Sequence, residues 1–347
     1  MNITKGTLTM RAPDDFHGHL REGALLLMLA PLVARVFKRM LVMPNREEAI
    51  LSGGQAVRYY LQIKNLLEAE DLNDFEPLMT IQVTEQTTPE MILDAAANNV
   101  TAGKVYPRGM TTNSENGVLD YRKIYPALEA MQDCGMVASF HGESPDPTVD
   151  PIDREWAFAR KILPLIAKKF PKLKIVMEHV TDGRTLKVVN DFENVAATVT
   201  VHHLLITMTD WHGKKLKPHL FCKPEAKRFR DRDALREFVF SGNPKAIFGT
   251  DMAPHPRSQK ECDECSAGVF MPPDIALPIL VELFEQHHAL QRLEPFVSEN
   301  GAKRYGLPLN QGTVTLEKKE WDIPGEYFGV IPFMAGKTLR WQFVGRV

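Results

Sequence analysis

The feature that most constrains this chain is an alternation. Short segments that are apolar throughout or rich in β-branched residues recur, each followed by a stretch long enough for a helix. The strand-like segments are Thr7–Met10, Met40–Met43, Pro77–Val83, Ala102–Tyr106, Met136–Phe140, Lys174–Glu178, Val195–Val201 and Ala246–Gly249. Several lack a polar face, as strands covered on both sides require. Between them, Arg154–Lys169 puts Phe158, Ile162, Leu165 and Ile166 on one helical face. Pro89–Asn98, Tyr121–Cys134, Arg232–Phe240 and Ala276–His288 read the same way, and Thr88-Pro89 is a helix-start signature. Eight strand–helix units count out an α/β fold, a (β/α)8 TIM barrel. A doubly wound sheet is the alternative, but no glycine-rich phosphate loop follows the first strand to support it. The chain reads as one barrel domain over 1–347. Its last part, Glu294–Val347, is broken by Pro308, Pro324 and Pro332 and reads as a C-terminal extension packed on the barrel.

Composition excludes other classes. With 44% hydrophobic and 25% charged residues the chain can bury a large core, so general disorder is ruled out. Lys and Arg number 42 against 44 Asp and Glu, a net charge of −2, which leaves no bulk positive charge for nucleic acid. Four cysteines do not make a disulfide scaffold in 347 residues, and a reducing compartment follows. The apolar run Ala24–Ala34 is too short for a bilayer, which takes about 20 residues. Arg11, Asp14, Asp15, Arg21 and Glu22 precede it, unlike a signal peptide, so it reads as a buried helix. The expectation is a soluble, cytoplasmic protein with no nucleic-acid or membrane partner.

The chemistry gathers at strand ends. His17-Gly18-His19 is taken to follow directly on Thr7–Met10 as the first strand. In an extended segment residues i and i+2 point to one side, so both imidazoles can reach one metal ion. An isolated pair of this kind is as often two unrelated surface histidines. The other strand ends change that balance: His141 closes the fifth strand, His179 the sixth and Asp251 the eighth. Barrel enzymes place their reactive groups at the carboxyl ends of strands, so these residues read as a metal site. Lys104 lies inside the apolar fourth strand. A buried lysine is either ion-paired or modified. Reaction with carbon dioxide would turn it into a carbamate, an anionic ligand able to bridge two metals.

Together, His17-x-His19-x-Arg21, Met43-Pro44-Asn45, Lys104-Val105-Tyr106-Pro107, His141-Gly142-Glu143, Glu178-His179 and Gly249-Thr250-Asp251-x-Ala253-Pro254-His255 resemble the dihydroorotases. The likeness is to the short, single-function bacterial type within the amidohydrolase superfamily. It runs from about Met10 to Gly336-x-Thr338-x-Arg340-Trp341. The resemblance implies two zinc ions per chain bridged by a carboxylated Lys104 (N6-carboxylysine). One zinc would take His17, His19, Lys104 and Asp251, the other Lys104, His141 and His179. It implies reversible cyclisation of N-carbamoyl-L-aspartate to L-dihydroorotate in pyrimidine biosynthesis, and a homodimer. A metal-bridging hydroxide would attack the ring amide, with Asp251 as general base and then acid.

Arg21 can grip the substrate carboxylate bidentately; its bland alternative is a salt bridge to Glu22 or Asp15. Asn45, His255, Thr111, Thr112, Lys223 and Ala267 match the family's other substrate contacts, Lys223 through its backbone. The polar loop Pro107–Gly117, which carries both threonines, reads as a lid. Gly18, Arg108, Met110 and Lys223 depart from the family pattern. Cys262-x-x-Cys265 lacks a second pair for a structural zinc, and His202-His203 acquire no role. Another cyclic amidohydrolase, such as a hydantoinase, is the nearest rival. A catalytically dead barrel is the rival from a different class, and the presence of every expected ligand argues against it.

Overall fold

The computed structural model describes residues 1–4, 6–111 and 113–347. Among them, fourteen strands are labelled in chain order. The barrel strands are β3 (Asp14–Gly18), β4 (Arg39–Val42), β5 (Glu76–Val83), β6 (Ala102–Val105), β7 (Val137–Phe140), β8 (Ile175–Met177), β9 (Val195–Val199) and β10 (Ala246–Phe248). They form one parallel sheet in sequence order, with helices between them. The sheet closes just beyond β10: Asp251 N donates to His17 O at 2.9 Å and His19 N to Met252 O at 3.1 Å. This is a (β/α)8 TIM barrel.

The helices start where local chemistry dictates. Thr88 caps Pro89–Ala97 by accepting from Met91 N, and Ser52 caps Gly53–Glu68 by accepting from Gln55 N. The run expected to be a helix near the start is one, Gly23–Ala34, with Leu26, Leu29, Ala30, Val33 and Ala34 buried. None of the described helices is long and apolar enough to cross a membrane.

One expectation needs correction. Thr7–Met10 is a strand, but it does not belong to the barrel. As β2 (Thr7–Arg11) it pairs antiparallel with β1 (Asn2–Thr4) and β11 (Thr313–Glu317), and β14 (Gln342–Arg346) completes that four-stranded sheet. The first barrel strand is β3, which carries His17 inside it. Its Asp14 and Asp15 read as loop residues in sequence, yet both are fully buried. Arg39 grips Asp14 with bonds of 2.6 and 2.9 Å. Asp15 accepts from Thr250 N and Oγ1 and from His17 N. These partners satisfy the carboxylates and make a polar segment affordable as a central strand. The remaining strands, β12 (Trp321–Asp322) and β13 (Thr338–Leu339), form a small ribbon.

Two apolar clusters flank the barrel wall. The larger lies between sheet and helices. The smaller fills the barrel floor with Phe16, Leu41, Leu78, Ala102, Val137, Val176, Ala196, Ile247 and Tyr305, where Phe16 stacks on Tyr305 at 4.8 Å. Tyr305 comes from Asn300–Tyr305, a helix pressed so close that a Cβ on Gly301 would lie 2.1 Å from the Phe16 ring.

Candidate metal centre

Side chains on a strand alternate between faces, so the position two residues beyond a floor residue also faces inward. From Ala102 that rule reaches Lys104 and Tyr106, from Val137 Ser139 and His141, from Val176 Glu178, and from Ile247 Gly249 and Asp251. Along β6, β7 and β8 the barrel interior thus turns from apolar to polar within one step. At Gly249 the closing seam leaves no room for a side chain, because a Cβ would lie 2.9 Å from that of His17.

His17, His19 and Asp251 converge, with one potential ligand atom from each all within 4.8 Å of one another. The Nε2 atoms of both histidines stand 3.4 Å from Asp251 Oδ1. The opposite nitrogen of His17 is fixed by Glu178 Oε2 at 2.8 Å, which also accepts from Thr198 Oγ1 at 2.7 Å. His141 is fixed likewise by Glu143 Oε2 at 2.7 Å. Carboxylates behind imidazoles orient metal-binding histidines in this way. His179 packs against His17 and His141 at ring distances of 4.9 and 4.7 Å. It is the residue after Glu178, and consecutive residues of a straight strand face opposite sides. A left-handed backbone, with φ at +40°, turns it inward. Asp251 and Arg21 also have left-handed φ values, +46° and +58°. Such strain in residues other than glycine gathers at functional sites.

The electrostatics suit cations. Burial pushes His19 down to about 3 and lowers His141 and His179, so their imidazoles are neutral, the form that ligates metal. Burial opposes ionisation of Asp251, but the hydrogen bond from His19 and the pull of the surrounding imidazoles outweigh it, and its carboxyl falls below the ordinary range. Burial also pushes the Lys104 ammonium down to about 8. Lys104 is fully buried, and its Nζ has no hydrogen-bond partner among the described residues; neither has His179 Nδ1. An unmet buried ammonium is costly, and the donor set around it fits divalent metal ions.

Arg21, Asn45, Thr111, Lys223 and Ala267 line the same cavity as the histidines and Asp251. His255 adjoins it: its Nε2 stands 3.3 Å from Arg21 Nη2 and 3.1 Å from Ala267 O. Burial and the Arg21 charge push His255 down to about 4. Both carboxylates expected as structural partners of Arg21 are engaged elsewhere, Glu22 with Arg46 at 2.8 Å and Asp15 with Thr250. Thr112 lies outside the described residues. In the loop, Ser114 Oγ donates to Thr111 O at 2.5 Å, and Asn113 Nδ2 donates to Arg46 O at 3.1 Å, tying the loop across the mouth. The unusual Gly18 faces Met40, whose methyl carbon occupies the space a Cβ would need.

Several contributors were not picked out from the sequence. Glu143 and Glu178 lie within the motifs, and a carboxylate adjoining or two residues beyond a ligand histidine is the sequence signal for their support of the ligands. Tyr106 lines the cavity with its ring 5.2 Å from Lys104 Nζ. His202, His203 and Cys222 form a second close cluster, joined from segments whose proximity no spacing reveals.

A scan against protein-family models gave no match. Relatives are nevertheless close. The chain is 43% identical to the dihydroorotase of Shewanella sp. (strain ANA-3) over 342 residues, covering 97% of this chain and 99% of that one. The crystal structure of the Campylobacter jejuni dihydroorotase superposes with a TM-score of 0.89 at 40% identity, covering 99% of both chains. The Saccharomyces cerevisiae dihydroorotase in complex with 5-fluoroorotic acid superposes with a TM-score of 0.90 at 32% identity, covering 98% of this chain and 99% of that one. Likeness of this degree over the full length of both partners, on a barrel whose mouth gathers metal-ligand residues, shows that the chain belongs to the dihydroorotase family, hydrolases of the amidohydrolase superfamily.

Proposed function

We propose that this chain interconverts N-carbamoyl-L-aspartate and L-dihydroorotate, the pyrimidine-pathway step, with two zinc ions held at the barrel mouth. The observation that carries this reading is the convergence of His17, His19 and Asp251 beside the Nζ of buried Lys104, which has no partner among the described residues. His17, His19 and Asp251 would hold one ion, His141 and His179 the other, with Lys104 between them. Glu143 occupies Nε2 of His141, so Nδ1 would be its ligand atom. Lys104 would serve as a carbamate: its amine nitrogen bonds to the carbon of carbon dioxide and releases a proton, giving an anionic oxygen ligand. When bound, the ions supply a water of lowered pKa and polarise an amide carbonyl oxygen.

The chain's own groups do the rest. Asp251, ionised at neutral pH, accepts a proton at its carboxylate and returns it to the ring nitrogen as the amide opens; ring closure runs in reverse. Arg21 presents a guanidinium with no carboxylate partner among the described residues, which suits bidentate capture of the substrate carboxylate. Asn45 and neutral His255 add hydrogen bonds, as do Thr111, Thr112 and the backbone at Lys223 and Ala267. The yeast relative's complex with 5-fluoroorotic acid, a pyrimidine ring bearing a carboxylate, supports this assignment. A hydantoinase-like reading gives Arg21 no anion to meet. The assembly carried over from the resemblance is a homodimer, checked by light scattering.

The test is an assay in both directions with and without chelator, beside a panel of neutral cyclic amides and a metal analysis. Turnover of dihydroorotate and carbamoyl aspartate that chelation abolishes and zinc restores is expected. Preference for a neutral ring, or full activity without metal, overturns the reading.

A further inference from the structure

His202 and His203 follow β9, and Cys222 lies further along the segment that joins β9 to the helix Phe229–Phe240. One ligand atom from each lies within 4.8 Å of the others, and exposures are 0%, 2% and 2%. His203 Nε2 stands 3.4 Å from Cys222 Sγ. Its other nitrogen, Nδ1, lies 2.8 Å from Thr200 Oγ1, which also accepts from His203 N. That anchor aims Nε2 at the sulfur, as a partner behind a metal-binding histidine does. The His202 ring packs on His203 at 4.2 Å, and neither of its nitrogens has a hydrogen-bond partner among the described residues.

A bland reading accounts for two of the three. Hydrogen bonds of Cys222 Sγ to His203 Nε2 and to Pro224 O, each at 3.4 Å, satisfy Cys222 and His203. They leave His202 with a donor and an acceptor both buried and unmet, which is unfavourable. A nucleophilic cysteine is also disfavoured, because burial pushes the Cys222 thiol up to about 12.

We propose that His202, His203 and Cys222 form a further metal site, separate from that of His17, His19 and Asp251, for a thiophilic divalent ion such as zinc. Two ligands of a tetrahedral zinc, with Zn–S about 2.3 Å and Zn–N about 2.0 Å, lie about 3.5 Å apart. The observed sulfur–nitrogen separation of 3.4 Å matches that edge. Cys222 binds as thiolate and gives its proton to solvent, so the site fills more tightly as pH rises. Three protein ligands leave a fourth position open. The ion would tie the end of β9 to the backbone before Lys223, which lines the mouth.

Cobalt substitution of the purified enzyme tests this. The ligand residues proposed at the mouth include no sulfur, so thiolate-to-cobalt charge-transfer absorption in the near ultraviolet reports a cysteine ligand. The expected result is such a band in the wild type, lost in Cys222→Ser together with about one equivalent of cobalt per chain. It is retained when Cys262 and Cys265 are both changed to Ser. Absence of the band, its survival in Cys222→Ser or its loss in the Cys262/Cys265 variant overturns the proposal. Should Cys222→Ser not fold, His202→Gln carries the test, since its ring has no hydrogen bond to lose among the described residues. An unchanged band and unchanged cobalt content there overturn the site equally. The readout does not use turnover, so it stands or falls separately from the dihydroorotate reading.

Discussion

The floor and the mouth of the barrel are built from the same strands and do opposite work. At the floor, Leu41, Leu78, Val137, Val176 and Ile247 make an apolar plug with Phe16 and Tyr305. One inward step further, β6 offers Lys104 in register with Gln82 and Ser139, and beyond them stand His141, Glu178 and Asp251. The floor stabilises through burial and leaves no polar chemistry to perform. The mouth carries buried polar groups that lower stability unless each finds a partner or an ion. Two residues along a strand therefore separate folding from catalysis, and each can be damaged without the other.

The largest separation is expected at Asp251. Asp251→Asn keeps the side-chain shape but cannot accept a proton, so turnover should fall about a hundred- to ten-thousand-fold. The thermal midpoint should hardly move, and metal content should fall only partly. Near-normal turnover would remove Asp251 as the proton carrier. Lys104→Ala should lose most activity too, with partial rescue by small carboxylic acids. Arg21→Met should lower kcat/KM by about 2–5 kcal/mol, mostly through KM, with metal content intact. A loss of metal with KM unchanged would make Arg21 structural. The converse experiment is Leu41→Ala at the floor. It should lower unfolding free energy by about 2–5 kcal/mol in denaturant titrations, yet leave turnover per folded molecule near wild type. A floor substitution that cuts turnover as deeply as Asp251→Asn would break the comparison.

The two regions also differ in how well they can be read from sequence. Floor residues sit in apolar runs, and seven of the eight barrel strands stand out by that pattern alone. The eighth did not. Asp14 and Asp15 made β3 look like a loop, because the groups that satisfy them lie far away, Arg39 at 25 residues and Thr250 at 235. Thr7–Met10 then filled the vacancy on pattern, although its partner is Thr313–Glu317 at the other end of the chain. At the mouth, ligand-type residues were legible because barrel chemistry collects at strand ends. Their supports were harder to read, and the inward turn of His179 depends on a backbone angle that no residue type announces. The cluster of His202, His203 and Cys222 is not legible there, since a long segment with the short helices Met208–His212 and Pro218–Leu220 brings Cys222 back.

Smaller effects belong to the lid. Changing Thr111 and Thr112 together to Ala should lower turnover about tenfold through poorer closure and leave metal content and pH profile unchanged. Full activity of the double variant would make the loop a bystander.

The smallest expected effect concerns what ties that loop down. The Glu85 side chain is 5% exposed and holds both ends of it. Its Oε1 accepts from Leu119 N and Asp120 N at 2.9 and 3.0 Å, where the loop ends. Its Oε2 lies 2.8 Å from Lys123 Nζ and 3.5 Å from Arg108, near where the loop begins. The hydrogen bonds from Lys123 and from Asp120 N hold the Glu85 carboxyl down at about 2, against an ordinary 4.5. A carboxyl depressed in the folded state stabilises it fully above the unfolded value. That contribution fades as pH falls from about 4.5 towards 2. Amide hydrogen exchange over residues 107–117 should therefore quicken in that window, while the floor strands stay protected. In Glu85→Gln the loop should exchange faster at neutral pH and show a flatter pH dependence once intrinsic exchange rates are divided out. If loop and floor lose protection together, the loop has no separate latch. An equal pH dependence in wild type and variant would place the latch on another carboxylate.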